Sequence, residues 1–440
     1  MRVSCASSAR DSIDPARRVV ITGTGLVSAL GSDVDAAYSS MLRGERAVGR
    51  ITQFDASAFP VTIAAEARDS PEERFVEAKW RKRTDRVMRH ALVAAKGALE
   101  RAGLPWRREE FADALPGWVP HRAGIVLGSA MGGIGTFEAS VGALVGGKKM
   151  NPFCIPFAIS NASSGMLSVD LGFGGPVYSL STACATGNYA IMAAAEDIRE
   201  GRADLMLAGG ADAAVTPASI GGFAACKALS RRNDDPLGAS RPWDESRDGF
   251  VMGEGAGVVV LESLEHAQRR GAPLLAEVVA FAAGSDAHHV TEPDPSGAGV
   301  RRCIELAIER AGLSSSSDRA RIGYVNAHGT STPAGDVAEL AAVRGALPSP
   351  ELVVNSTKGL IGHALGAASG IEAVVAVQAL RTGKIHPNPN LVNVDPRIPD
   401  ADAAVLAPRD AHVERPDLEF ALSNSFGFGG HNSVLVLGKM

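Results

Sequence analysis

The sequence predicts an α/β protein built from two similar halves around one core. Glycine-bounded apolar runs such as Ala203–Gly210 (ADLMLAGG) and Gly255–Glu262 (GAGVVVLE) suit strands covered on both faces, as in sheets sandwiched between helix layers. The order strand, small-residue turn, Ala-rich helix occurs at Val177–Ile198 and again at Leu352–Val377. The 440 residues, 45% hydrophobic and 21% charged, suffice for two large lobes with full cores. The break falls near residues 270 to 280, which gives a leader at 1–17 and halves at 18–275 and 276–440.

Taken in order, Arg18–Gly31 (RVVITGTGLVSALG) reads as a β-branched strand running into a glycine turn. Its GTG lacks the third glycine of a dinucleotide fingerprint, because position 28 is serine, so no nucleotide site is expected. Residues 79–101 read as one helix, basic in its first half and apolar along one face of its second, where a solvated surface accounts for the charge. Ala123–Gly133 is a buried strand ending in glycines. Arg231–Gly257 is too polar and turn-rich for regular structure, and ordered loops of that length are often functional. Arg321–Thr332 is a strand ending in a small-residue turn, and Phe420–Leu437 gives two strands around a glycine turn.

Composition excludes several classes. No apolar run approaches the roughly 18 residues of a spanning helix, and a net charge of −5 offers no global attraction for nucleic acid. The cysteines (Cys5, Cys154, Cys184, Cys226 and Cys303) are odd in number and in no CxxC pair, which argues against a disulfide framework or a zinc site and for a reducing compartment. The first eighteen residues hold four arginines, four serines and no acid before Asp11, the composition of a transit-peptide remnant or of a frayed leader.

Chemistry concentrates in three turns. Cys184 follows a strand and opens a helix, where free N–H groups and the helix dipole would draw a thiol below its ordinary value of about 8.5. The small residues around it leave room for a substrate. His328 (NAHGTST) and His363 (STKGLIGHALGAA) sit in Gly/Ser/Thr-rich turns at the C-terminal ends of strands, where α/β folds place their chemistry. Two histidines in equivalent turns and a thiol in a third point to one shared site.

STACATGNYA at Cys184, NAHGTSTPAGDVAE at His328, NSTKGLIGHALGAASGIEA at Lys358 and His363, and SNSFGFGGHN near the C-terminus together resemble the β-ketoacyl-[acyl carrier protein] synthases of type II fatty acid synthesis. The DAHH and GFGGHN segments are most similar to the plastid type I enzymes. The resemblance spans residues 18–439 and implies a thiolase fold: two βαβαβαββ halves related by a pseudo-dyad, in five α-β-α-β-α layers, as a homodimer. It implies a catalytic set of Cys184, His328 and His363, which condenses acyl and malonyl groups borne on acyl carrier protein without metal, nucleotide or nicotinamide. A thiolase proper would need a second cysteine near the C-terminus, and none follows Cys303. A non-catalytic partner subunit would lack the cysteine that is present here, and a polyketide-type condensing enzyme is the nearer rival.

The same resemblance implies oxyanion donors at the backbone N–H groups of Cys184 and Phe426, with Phe426 also a gate in the glycine turn. A buried Lys358 needs a carboxylate partner, which gives a Lys358 with Glu339 or Glu372 arrangement that fixes the histidine tautomers; the resemblance adds a structural monovalent cation at Asn326, Glu372, Ser423 and Asn424. Lys79, Lys82, Arg83 and Arg232 match positions used to dock the acidic carrier. Gly187 and the alanine-rich stretch after Tyr189 depart from the larger residues of plant relatives, which bears on acyl chain length. The expected location is the plastid stroma, or a bacterial-type cytoplasm.

Overall fold

The computed structural model describes residues 14–440. The leader assignment for residues 1–13 therefore lies outside the described residues. Its last residues are built into the fold: Asp14 caps a short 3-10 turn at Pro15–Arg17, and Arg17 pairs with Asp204 at 2.9 Å.

The first half contributes strands β1 (Val19–Val27), β2 (Ala123–Gly128), β3 (Val177–Tyr178), β4 (Leu205–Asp212) and β5 (Gly255–Ser263). The second contributes β6 (Ala276–Ser285), β7 (Ile322–Asn326), β8 (Val353–Asn355), β9 (Phe420–Gly427) and β10 (His431–Gly438). Their order across the sheet is β8-β7-β9-β10-β6-β1-β5-β4-β2-β3. Numbering the strands of each half from its own start, both halves run third, second, fourth, fifth, first. The directions match as well: the first three pairings inward from each edge are parallel, parallel and antiparallel, and the fourth is antiparallel. The halves meet along β1 and β6 through only two register pairs, Val20 with Glu277 and Ile21 with Ala276. Two five-stranded sheets thus join edge to edge into one ladder, a continuity that periodicity does not reveal.

Helices α1 (Arg86–Arg101), α2 (Ile134–Val145), α3 (Ala162–Leu171), α4 (Thr186–Arg199), α5 (Ala298–Arg310), α6 (Gly335–Ala346) and α7 (Ala368–Thr382) supply the layers. α4 and α7 lie between the sheets, α7 touching β4 and β5 on one side and β9 on the other. α1 and α3 cover the outer face of the first sheet, while α5, backed by α6, covers that of the second. This is the five-layer thiolase fold. Since both sheet faces are covered, every residue of β1, β4 and β5 is buried, which is why these strands read as unbroken apolar runs rather than alternating ones.

Two expectations need correction. The GTG segment lies inside β1 rather than in a turn: a Cβ on Gly25 would sit 2.0 Å from the Ala94 carbonyl oxygen of α1, so glycine there permits close helix-to-strand contact. Residues 79–101 are not one helix. A single turn at Ala78–Arg81 ends at Lys82, and α1 starts afresh at Arg86 behind Asp85, whose carboxylate accepts the Val87 N–H at 3.1 Å. That N-cap satisfies an otherwise orphaned donor and re-aims the chain.

Candidate active site

The three turns converge where the two halves meet. Cys184 follows Ala183, a non-glycine residue at φ +49°, and precedes α4. This strained elbow is held by Thr186, whose Oγ1 accepts the Thr182 N–H at 2.9 Å and donates to the Ala183 carbonyl at 2.7 Å. Asn188 binds α4 to the other half, its backbone N–H donating to Ser369 Oγ and its Nδ2 to the Ser423 carbonyl.

His363 is clamped by the long polar loop. Its N–H donates to the Val251 carbonyl and its own carbonyl accepts the Gly253 N–H, both at 2.8 Å. Asp212, at the end of β4, accepts N–H groups from Ala130, Met131 and Gly366, tying the turn after β2 to the turn carrying His363. The loop is itself anchored to the second half by buried Arg247, paired with Asp395 at 2.8 Å and Asp336 at 3.4 Å. His328 follows β7, its backbone N–H held at 2.8 Å by Glu339.

The Cys184 Sγ and one ring nitrogen from each histidine lie within 4.8 Å of one another. The imidazoles stand perpendicular, centroids 5.5 Å apart; Phe250 packs edge-on against His363 and Phe426 against His328. Burial holds both imidazoles well below the ordinary histidine value, and the Lys358 ammonium pushes them lower still. Both are therefore neutral, each with one N–H and one lone pair. His328 Nδ1 and both ring nitrogens of His363 have no hydrogen-bond partner among the described residues. Buried polar groups are normally paired, so these point to a ligand that supplies the missing bonds.

The thiol differs from its sequence expectation. Burial pushes Cys184 up to about 12, against a downward pull from Lys358, so this group rests as a thiol. Desolvation is the largest influence on this thiol, and it acts against the lowering expected at a helix terminus.

Lys358 pairs with Glu372, both fully buried. Glu339 instead accepts the N–H groups of His328 and Gly329 at 2.8 and 2.7 Å and fixes that turn. No carboxylate bonds either imidazole among the described residues, so this network positions backbone and charge without setting tautomers. Burial raises both carboxyls to about 7.

Phe426 belongs to β9, opposite Asn432, with its ring against His328. The neighbour that sequence reasoning passed over is Phe428: its backbone N–H donates to the Cys184 sulfur. Glycines on both sides of Phe428 were the available signal, and they fit a mobile turn residue better than a strand residue.

Of the basic residues, Lys82 and Arg83 are exposed and without side-chain partners among the described residues. Lys79 pairs with Glu77, and Arg232 lies on the separate polar loop with its guanidinium on the Ser246 carbonyl. Asn326 Oδ1, Glu372 Oε2, Ser423 Oγ and Asn424 Oδ1 are all buried without a partner. Four oxygens in that state fit a small cation. Gly187 faces α7, where a Cβ would lie 2.4 Å from the Gly370 nitrogen, so the position serves as a helix-crossing contact.

Comparison with known proteins agrees with this geometry. The β-ketoacyl synthase N-terminal domain matches residues 16–267 and the C-terminal domain residues 275–392. The 3-oxoacyl-[acyl-carrier-protein] synthase I, chloroplastic, of Arabidopsis thaliana is 47% identical over 98% of this chain and 89% of its own length. The 3-oxoacyl-[acyl-carrier-protein] synthase 2 of Coxiella burnetii is 44% identical over 96% and 99%. A solved type II polyketide ketosynthase, in complex with its acyl-carrier protein, superimposes with a TM-score of 0.83 at 30% identity over 96% of this chain and 99% of that one. With a thiol and two neutral histidines meeting between two topologically identical halves, the chain belongs to the β-ketoacyl synthase family.

Proposed function

We propose that the protein joins an acyl group to a malonyl group, both carried as thioesters on acyl carrier protein, releasing CO₂ and giving 3-oxoacyl carrier protein. The observation that carries this reading is the meeting of one thiol with two neutral, unpartnered imidazoles. Cys184 attacks the acyl thioester, and because it rests protonated its proton must leave as the sulfur–carbon bond forms. A lone pair on His328 or His363 receives that proton and returns it to the departing carrier thiol. The tetrahedral oxyanion takes the N–H groups of Cys184 and Phe428, each donor typically worth about 3 kcal/mol in the transition state.

Malonyl carrier protein then loses CO₂, and the electron pair of the broken carbon–carbon bond forms an enolate. Neutral His328 and His363 each direct an N–H at its oxygen. The enolate carbon attacks the acyl group, and Cys184 leaves as a thiolate that takes one proton from solvent to restore the resting thiol. Charged histidines would bind the malonyl carboxylate and oppose its loss, so their downward shift suits this step.

The carrier docks at Lys82 and Arg83, with Lys79 and Arg232 as further basic contacts. A local basic patch is what a protein of net charge −5 needs for an acidic partner. Pairing of two copies is supported by the open edge of β3 and by exposed Phe137, Val141, Leu144, Phe153, Ile155 and Ile159 on α2 and the segment after it. Asn326, Glu372, Ser423 and Asn424 hold a monovalent cation whose charge balances their unpartnered oxygens, a structural role outside the reaction. Chloroplastic relatives favour the plastid stroma, with a bacterial cytoplasm as the alternative.

Intact-mass analysis after incubation with acyl carrier proteins of graded chain length tests the reading. The acyl mass should appear on Cys184, and the extent at each length reports the preference. Absence of any acyl adduct overturns the proposal.

A further inference from the structure

Around Asn326 lies a chain of buried polar groups whose hydrogen positions follow from their donors and acceptors. A carbonyl oxygen only accepts, so the 2.9 Å contact between His386 Nδ1 and the Pro387 carbonyl places the hydrogen on Nδ1. His386 is fully buried and held neutral by that burial, down at about 4, so its Nε2 carries a lone pair. The Thr357 hydroxyl, 3.2 Å away, must donate to it. Thr357 Oγ1 is then left to accept, and Asn326 Nδ2 donates to it at 2.9 Å.

A second chain arrives from the other side. Asn355 Nδ2 donates to the His386 carbonyl at 2.7 Å, which identifies its oxygen as the atom facing Tyr324. The Tyr324 hydroxyl donates to that oxygen at 2.8 Å and accepts the remaining Asn326 Nδ2 hydrogen at 2.9 Å. Both amide hydrogens of Asn326 are therefore committed, and its Oδ1 is turned out of the network with no partner. Ser423, the register partner of Asn326 on the neighbouring strand, likewise leaves its Oγ unpartnered.

We propose that Thr357 and His386 are positioning residues: anchored on two backbone carbonyls, they fix the Asn326 amide so that its oxygen, and never its NH₂, faces the cation cluster. This rests on the cation reading above. A freely flipping amide would present two hydrogens to the same space half the time and repel a cation. The polarity is set by two fixed carbonyls, so it persists without the ion and presents a preorganised acceptor.

The test is thermal melting in sodium or potassium chloride against choline chloride at equal ionic strength, for wild type, Thr357→Val, Thr357→Ser, His386→Leu and His386→Gln. Wild type should melt higher in the alkali salts. Thr357→Val and His386→Leu should lose that increment even where their melting in choline is close to wild type. Thr357→Ser should keep it because the hydroxyl remains, and His386→Gln should recover part of it by presenting an amide oxygen where Nε2 stood. A general packing defect lowers all curves together and leaves the increment intact. No increment in wild type removes the cation reading and this inference with it. An increment shared equally by wild type and Thr357→Val removes this inference alone. Nitrogen-15 spectra of His386 add a direct check, since the Nε2–H tautomer would contradict the assigned polarity.

Discussion

Cys184 and its charged neighbours set the chemistry at the scale of single residues. The thiol lies above its ordinary value, so the thiolate fraction at neutral pH is smaller than for a free cysteine and grows as pH rises toward about 12. Alkylation of Cys184 by iodoacetamide should therefore climb through pH 9 without a plateau near neutrality. Lys358 pulls the thiol down more than Glu372 pushes it up, so removing both charges moves the profile further up. The variant for this test is Lys358→Met with Glu372→Gln, because removing one member of a buried ion pair strands the other at a cost of about 3–5 kcal/mol. One unit of upward shift would slow alkylation at pH 9 about tenfold; a plateau near neutral pH in wild type, or an unchanged profile in the variant, would count against the assigned electrostatics. The meeting of Cys184, His328 and His363 was legible in the sequence, because chemistry in Gly/Ser/Thr turns after apolar strands leaves a local signature. The direction of the thiol shift was not, since it depends on burial and on charges such as Lys358 and Asp212 that come from distant segments. Nor could spacing decide between Glu339 and Glu372 as the partner of Lys358. α7 carries Glu372 to the ammonium, whereas α6 carries Glu339 to the His328 turn.

Elements turn these residues into a site, and glycine decides how closely they approach. Gly187, whose missing Cβ admits the Gly370 backbone, bears the crossing of the two central helices. Gly187→Ser should lower the melting temperature, because backbone rather than a flexible side-chain end must give way. It should leave the relative use of acyl chain lengths unchanged; a shifted length profile with unchanged stability would give Gly187 a part in chain-length preference instead. The short turn ending at Lys82 presents the second elemental test. Reversing Lys82 and Arg83 to Glu should raise KM for carrier-bound substrate and flatten its dependence on salt, with kcat largely kept. An unchanged KM would leave these side chains as solvated surface. The break between that turn and α1 escaped the sequence reading because helical periodicity continues through it. Only the Asp85 cap, an aspartate that could equally sit on a helix surface, marks it.

Over the whole molecule, the repeated strand order makes the site. Two copies of one topology, joined along β1 and β6, bring the turns after β3, β7 and β8 to a common centre between the sheets. The duplication was visible as parallel element order, while the edge-to-edge seam was not, because two register pairs leave no pattern in sequence. The central claim is a division of labour across that centre: Cys184 from one half forms the acyl-enzyme, and His328 and His363 from the other stabilise the enolate. The direct measurement follows labelled CO₂ release and acyl-enzyme formation separately in Cys184→Gln, His328→Ala and His363→Ala. Cys184→Gln should form no acyl-enzyme yet still release CO₂ from malonyl carrier protein, because its neutral amide fills the space of an acylated cysteine. The histidine variants should lose CO₂ release by about a hundredfold or more while still forming some acyl-enzyme, since the oxyanion donors are backbone groups and the remaining histidine can take the thiol proton. Loss of CO₂ release in Cys184→Gln as complete as in the histidine variants, or normal release in those variants, would contradict the account.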